Sequence, residues 1–180
     1  MIRYALIYGG LAGAITISVA AVTVSLSDPS DMRTAEALGY LTMFAAMSLV
    51  FIGIKRWRDI EKGGVATFVG AFGVGAAMSL AAALIYAVGW ETFMFATDYA
   101  FTAEYAQAMR EEIAAKGLAA AEEAEALAEI DAAIEMMANP ALRLAVSMIE
   151  ILPVALVVAL ISAAILRNPK VLPARAGRGE

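Results

Sequence analysis

Four stretches of this chain run for the length of a bilayer crossing with almost no charge, and that feature decides what it can fold into. Residues 4–26, 37–54 and 65–90 carry no ionisable acid or base, and residues 144–166 carry one, Glu150. A hydrocarbon core of roughly 30 Å is spanned by about 20 apolar residues in a helix. Within it every backbone N–H and C=O must be paired inside its own segment, so each stretch has to be a helix. The composition agrees: 62% of the 180 residues are hydrophobic and 17% are charged, far from ordinary soluble usage. Arg3 before an apolar run, with Val19, Ala20 and Ala21 behind, also resembles a secretory leader. A leader's apolar region is about 7 to 15 residues, whereas this one continues to Leu26, which predicts a retained span.

Orientation follows from the basic residues. Nine of the thirteen (Arg3, Lys55, Arg56, Arg58, Lys62, Arg167, Lys170, Arg175 and Arg178) fall on one side of a four-span arrangement. The other side holds Arg33, Arg110, Lys116 and Arg143, against eleven acids from Glu91 through Glu135. Basic loops near span ends stay in the cytoplasm, so both termini are expected inside and the acidic segment outside. The net charge of -5 therefore averages over a strong segregation of signs. Tyr40, Trp57, Tyr86 and Trp90 fall near span ends, where amphipathic rings favour the headgroup level.

Helices in lipid approach closely only where side chains are small. In span three, Thr67, Ala71, Gly75, Ser79, Ala83 and Ala87 recur every four residues and so share one stripe, read here as the central packing face. Gly9 and Gly13 in span one, and Ala155, Ala159 and Ala163 in span four, offer matching seams. Ordinary packing within the bundle accounts for them more simply than a homo-oligomer.

The segment 91–140 is polar but keeps helical periodicity. Phe101, Tyr105 and Met109 fall four apart, and Leu127, Ile130, Ile134 and Met137 follow a three-four-three spacing. This predicts two amphipathic helices, with Asp98 as the first N-cap, Lys116-Gly117 as its stop and Asn139-Pro140 as a break before span four. The whole is thus an all-α membrane protein, one domain over 1–180, with an extracytoplasmic helical hairpin inserted between spans three and four. The hairpin is either a recognition module or, more simply, a cap whose apolar stripe lies on the bundle or the membrane interface with its acids in water. Since acids are repelled by anionic lipid, it is expected to stand on protein rather than on headgroups.

The chain has neither Cys nor His, which removes thiolate and imidazole chemistry and leaves only oxygen donors for a metal. The acids show no calcium-loop spacing, and no reactive constellation faces one aqueous side. No enzymatic activity, cofactor, metal or nucleic-acid partner is therefore expected.

What stands out is Glu150. Six residues into span four, it lies about 9 Å below the boundary, where an unpaired carboxylate is costly, so it is expected to face the bundle interior. Pro153 removes the amide that would bond the carbonyl of Ile149, leaving a free acceptor beside the acid. Glu36, Glu91, Arg33 and Arg143 fall near the same outer level. They make either a ligand or ion site with Glu150 or an interhelical clamp of acids on arginines. At the opposite boundary Lys55, Arg56 and Arg58 beside Trp57 are candidates for lipid headgroup contacts, or are plain topogenic charge.

These features in this order resemble the bacterial membrane family known as domain of unknown function 4199. The matching residues are Glu36 with Gly39-Tyr40, Gly53-Ile54-Lys55 with Arg58-Asp59, and Gly63-Gly64 before Phe68 and Ala71-Phe72. Trp90-Glu91, Asn139-Pro140, Glu150-Ile151-Leu152-Pro153-Val154 and Leu160-Ile161-Ser162-Ala163 complete the match. The family often has a basic residue before the Ala-Phe pair, where this chain has Gly70. The resemblance implies four helices in a bacterial inner membrane and brings no activity with it. The functional expectation is a non-enzymatic binding or accessory subunit, in contact with lipids and with a protein partner in the membrane or further copies of itself, with Glu150 at its polar site. The alternative is a small transporter or flippase-like component that uses Glu150 as a proton or cation site.

Overall fold

The computed structural model describes residues 1–26 and 32–174, with the backbone alone for 32–36. Its elements are six helices: α1 (Ile2–Leu26), α2 (Met32–Glu61), α3 (Phe68–Ala96), α4 (Ala100–Ala115), α5 (Ala120–Met137) and α6 (Pro140–Leu166). Of these, α1, α3, α6 and the Ala37–Glu61 part of α2 are long and apolar enough to cross a membrane.

The helix ends have local causes. α2 continues through the basic cluster and stops only at Gly63 and Gly64, whose φ of +58° and +89° suit residues without a Cβ. Lys55, Arg56 and Arg58 therefore ride on the last two turns of α2, not in a loop as their charge suggested. Lys55 and Arg56 can end a span this way because their stems are apolar and their heads can reach outward. Thr67 caps α3, its Oγ1 accepting from the Gly70 amide at 3.1 Å, so α3 starts slightly later than the apolar run and continues past Trp90 to Ala96. Asn139 caps α6, its Oδ1 accepting from the Ala141 amide at 2.9 Å, with Pro140 in the first turn. The break predicted at Asn139-Pro140 is also the start signal of the next helix.

The four long helices form a ring in which α3 packs on α6 and α1, and α2 closes the other side between α1 and α6. α3 is its centre. Along the predicted stripe Ala71, Gly75, Ser79, Ala83 and Ala87 are all buried, facing Ala155, Ala159 and Ala163, each fully buried on α6. A Cβ on Gly75 would stand 2.8 Å from that of Ala159. A second face, Val74, Met78, Ala82 and Tyr86, is equally buried and receives α1. There a Cβ on Gly9 or Gly13 would lie 2.2 or 2.4 Å from the carbonyl oxygens of Met78 and Ala82. The GxxxG spacing of span one therefore serves packing inside one chain.

One irregularity was not predicted: residues Ala5–Gly9 of α1 form a π-helical turn. It sets Tyr8 over the bare face of Gly53, where a Cβ would approach the ring within 2.8 Å.

The hairpin departs from expectation in three ways. Asp98 does not cap α4; Asp98 and Tyr99 both take left-handed φ, at 49° and 57°, and reverse the chain, leaving Tyr99 at the N-cap. The buried face of α4 is Ala106 and Ile113, packed with Leu118, Leu127, Ile130 and Ile134, while Tyr105 and Met109 are exposed. Phe101 instead turns edge-on to Trp90 of α3, 5.5 Å between centroids, and Tyr105 follows it. The small Ala106 is what lets α4 and α5 meet. Apart from Phe101 on Trp90, the hairpin thus buries its apolar residues between its own two helices. The stop at Lys116-Gly117 is as predicted, with Gly117 at φ 59°. Of the aromatic residues assigned to the boundaries, Trp57 and Tyr86 are buried in the bundle and Tyr40 is exposed.

Candidate functional site

α6 turns Ser147, Ile151, Ala155, Ala159 and Ala163 toward the bundle. Those small positions are what α3 needs for close approach, so Glu150, one position off the seam, falls on the exposed side of the helix. This corrects the expectation that it faces the interior. Its carboxylate reaches back to Tyr86 of α3, whose hydroxyl donates to it. Tyr86 is buried, so the bond joins the exposed face of α6 to the packed interior of α3. Pro153 and Ile149 lie on the same exposed side, and α6 continues through the proline. Sequence reasoning missed Tyr86 as the partner. Its signal was there, because a tyrosine one turn before Trp90 has its hydroxyl inside the apolar stretch and needs an acceptor.

Glu91 and Arg143 are brought together. The Arg143 Nε donates to Glu91 Oε2 at 2.9 Å and its Nη2 to Oε1, a bidentate pair of the strong, charge-assisted kind. Tyr99 adds a third donor, its hydroxyl 3.1 Å from Glu91 Oε1, and its ring lies 4.7 Å beneath the guanidinium. The Arg143 Nη1 donates to the carbonyls of Met137 and Ala138 at 2.7 and 3.2 Å, where the end of α5 presents unpaired acceptors. One arginine thus ties the end of α3, the reversal at Tyr99, the end of α5 and the start of α6. With these contacts made, the geometry is that of a clamp. Tyr99 carried no periodic signal. Its part depends on a left-handed conformation that few non-glycine residues adopt. Arg33 and Glu36, assigned to the same level, lie outside the residues whose side chains are described.

At the basic end the three headgroup candidates separate. Arg58 has no exposed surface, which corrects its assignment as a lipid contact. Its Nη1 donates to Leu166 O at 3.3 Å and Val171 O at 3.0 Å, its Nη2 to Leu172 O at 2.6 Å and its Nε to Asp59 Oδ1 at 2.7 Å. It therefore fastens the chain after α6 onto α2. Lys55 pairs with Asp59 one turn away. Arg56 is exposed.

Among the described residues no group of three or more acids could hold a metal ion. The core hydroxyls are satisfied locally: Thr16, Ser79 and Ser162 each donate to a carbonyl one turn back, at 2.9, 2.9 and 2.6 Å.

A ring of four apolar spanning helices, with its charges sorted to the two ends, defines a multi-pass membrane protein. More particularly, the chain matches the family described as "Protein of unknown function (DUF4199)" over residues 3–168, and it belongs to that family. No curated protein and no solved structure matches it.

Proposed function

We propose that this chain is a non-enzymatic binding or accessory subunit of a bacterial inner membrane, with both termini cytoplasmic and the hairpin outside, and that Glu150 is its point of attachment. The observation that carries this reading is an acid within a span that lies on the exposed face of the bundle, steadied by Tyr86. A carboxylate has acceptor capacity beyond the one bond from Tyr86, and a donor on a neighbouring helix is the partner that a polar group at the lipid face can use. The exposed Ile149, Pro153 and Val157 around it present a smooth apolar surface for such a helix.

Transport through Glu150 is the competing reading and calls for a polar path across the bundle. The interior is instead filled by Ala, Met and Val side chains, and its hydroxyls are bonded to their own helices. That packing favours binding over passage.

A photo-crosslinking residue at Ile149, 67% exposed, tests the reading in native membranes. A discrete protein adduct is expected that persists in Glu150→Gln, which keeps a hydrogen-bonding amide, and disappears in Glu150→Leu. Adducts to lipid alone, identical in all three backgrounds, overturn it. Proteoliposome flux that depends on pH and is abolished in Glu150→Gln supports transport instead.

A further inference from the structure

At the basic end, away from Glu150, a cleft of about 230 Å³ opens between α1 and α2. One wall is the start of α1, with Arg3, Tyr4, Ile7 and Tyr8; the other is the end of α2, with Arg56, Ile60 and Glu61. Three properties distinguish it from scattered surface charge. Among the described residues neither Arg3 nor Arg56 has a hydrogen-bond or ion-pair partner, although Lys55 and Arg58 beside them are both engaged. One wall carries two stacked rings, Tyr4 and Tyr8, with centroids 6.3 Å apart. It is also shaped by the π-helical turn Ala5–Gly9, a distortion found frequently at functional sites. Finally, the cleft is amphipathic along its depth, because Ile7 and Ile60 are exposed apolar side chains within it.

The order of charges is specific. α2 runs outward here, so Arg56 lies five residues, about 7.5 Å of helical rise, deeper than Glu61. The Tyr4 hydroxyl donates to Glu61 Oε1 at 3.3 Å, so the start of α1, with Arg3 next to Tyr4, meets the end of α2 at Glu61, and both residues line the cleft. Reading from the membrane outward, the cleft offers apolar surface and a deep guanidinium, then a second guanidinium beside a carboxylate. A glycerophospholipid presents acyl chain, phosphate and headgroup in the same order. We propose that this cleft binds one phospholipid whose headgroup joins a phosphate to a primary ammonium, as in phosphatidylethanolamine. Arg56 and Arg3 hold the phosphate oxygens, for which the guanidinium fork is well shaped. Glu61 accepts from the ammonium while keeping its bond to Tyr4, and the stacked tyrosines form the wall against which the glycerol lies. A headgroup without an amine, as in phosphatidylglycerol, leaves Glu61 without the ammonium it would otherwise bind.

The test titrates the full chain, purified in mild detergent, with phosphatidylethanolamine or phosphatidylglycerol of identical acyl chains, and reads bound lipid by native mass spectrometry. Phosphatidylethanolamine is expected to bind more tightly. Arg3→Gln and Arg56→Gln should each weaken both lipids about tenfold, with part of the affinity restored by Arg→Lys. Glu61→Gln should weaken phosphatidylethanolamine alone and erase the preference. Soluble O-phosphoethanolamine, which lacks acyl chains, should not displace the lipid at equal concentration. Because Arg3 and Arg56 have no hydrogen-bond or ion-pair partner among the described residues, thermal unfolding of their variants is expected to match the wild type. Binding unchanged in both arginine variants, a preference for phosphatidylglycerol, a preference that survives Glu61→Gln, or full displacement by O-phosphoethanolamine each overturns the proposal.

Discussion

A guanidinium with no exposed surface must find acceptors for its N–H groups, since an unpaired buried charge is among the costliest features a fold can carry. Arg58 meets that demand with Asp59 and the carbonyls of Leu166, Val171 and Leu172. Lysine has the charge but not the fork that reaches several acceptors at once. Arg58→Lys is therefore expected to destabilise the bundle by about 3 kcal/mol and to make the segment 167–174 sensitive to protease in detergent. The arginines at the other end differ in the same physical way. Arg143 and Glu91 form a shielded pair, their side chains 13% and 23% exposed, whereas Arg110 and Asp131 stand at 45% and 66%. Arg143→Gln should lower stability by about 1–2 kcal/mol and reduce the melting temperature. Arg110→Gln should change it by less than about 1 kcal/mol, as exposed ion pairs do.

At the scale of elements, the stability of α1 rests on backbone approach. Gly9 and Gly13 leave room for the carbonyls of Met78 and Ala82, and a Cβ at either would clash with backbone that cannot rotate away. Gly10, between them, has nothing within 4 Å of its would-be Cβ. The three glycines look alike in sequence and should respond oppositely. Gly13→Val is expected to push α1 off α3, lowering the melting temperature sharply and weakening a cysteine cross-link engineered between the two helices. Gly10→Ala should be neutral or stabilising by about 0.5–1 kcal/mol, because alanine is the better helix former. The hairpin follows a different logic. Its core is Ala106, Ile113 and Ile130 with a few flanking apolar residues, so α4 and α5 are held by each other and by the clamp at Arg143.

For the molecule as a whole, the proposed orientation is open to a direct measurement, since the chain has no native cysteine. Single cysteines at Lys116, in the hairpin, and at Lys170, after α6, should label oppositely with a membrane-impermeant maleimide on intact cells. Lys116→Cys is expected to react and Lys170→Cys to be protected. The reverse pattern would invert the topology while leaving the bundle intact. The four spans, the central stripe of α3 and the break at Asn139-Pro140 were legible in the sequence, because each depends on length, period or a local residue preference. Span lengths follow from hydropathy, and small residues every four positions mark a seam wherever helices meet in lipid. What only the tertiary structure decided is where individual polar groups find partners. Glu150 turned outward because α3 needs the small residues beside it; Arg58 turned inward because the chain after α6 offers it carbonyls. Glu91 met Arg143 through a left-handed reversal at Tyr99. Such pairings join residues far apart in the chain, and no local pattern encodes them.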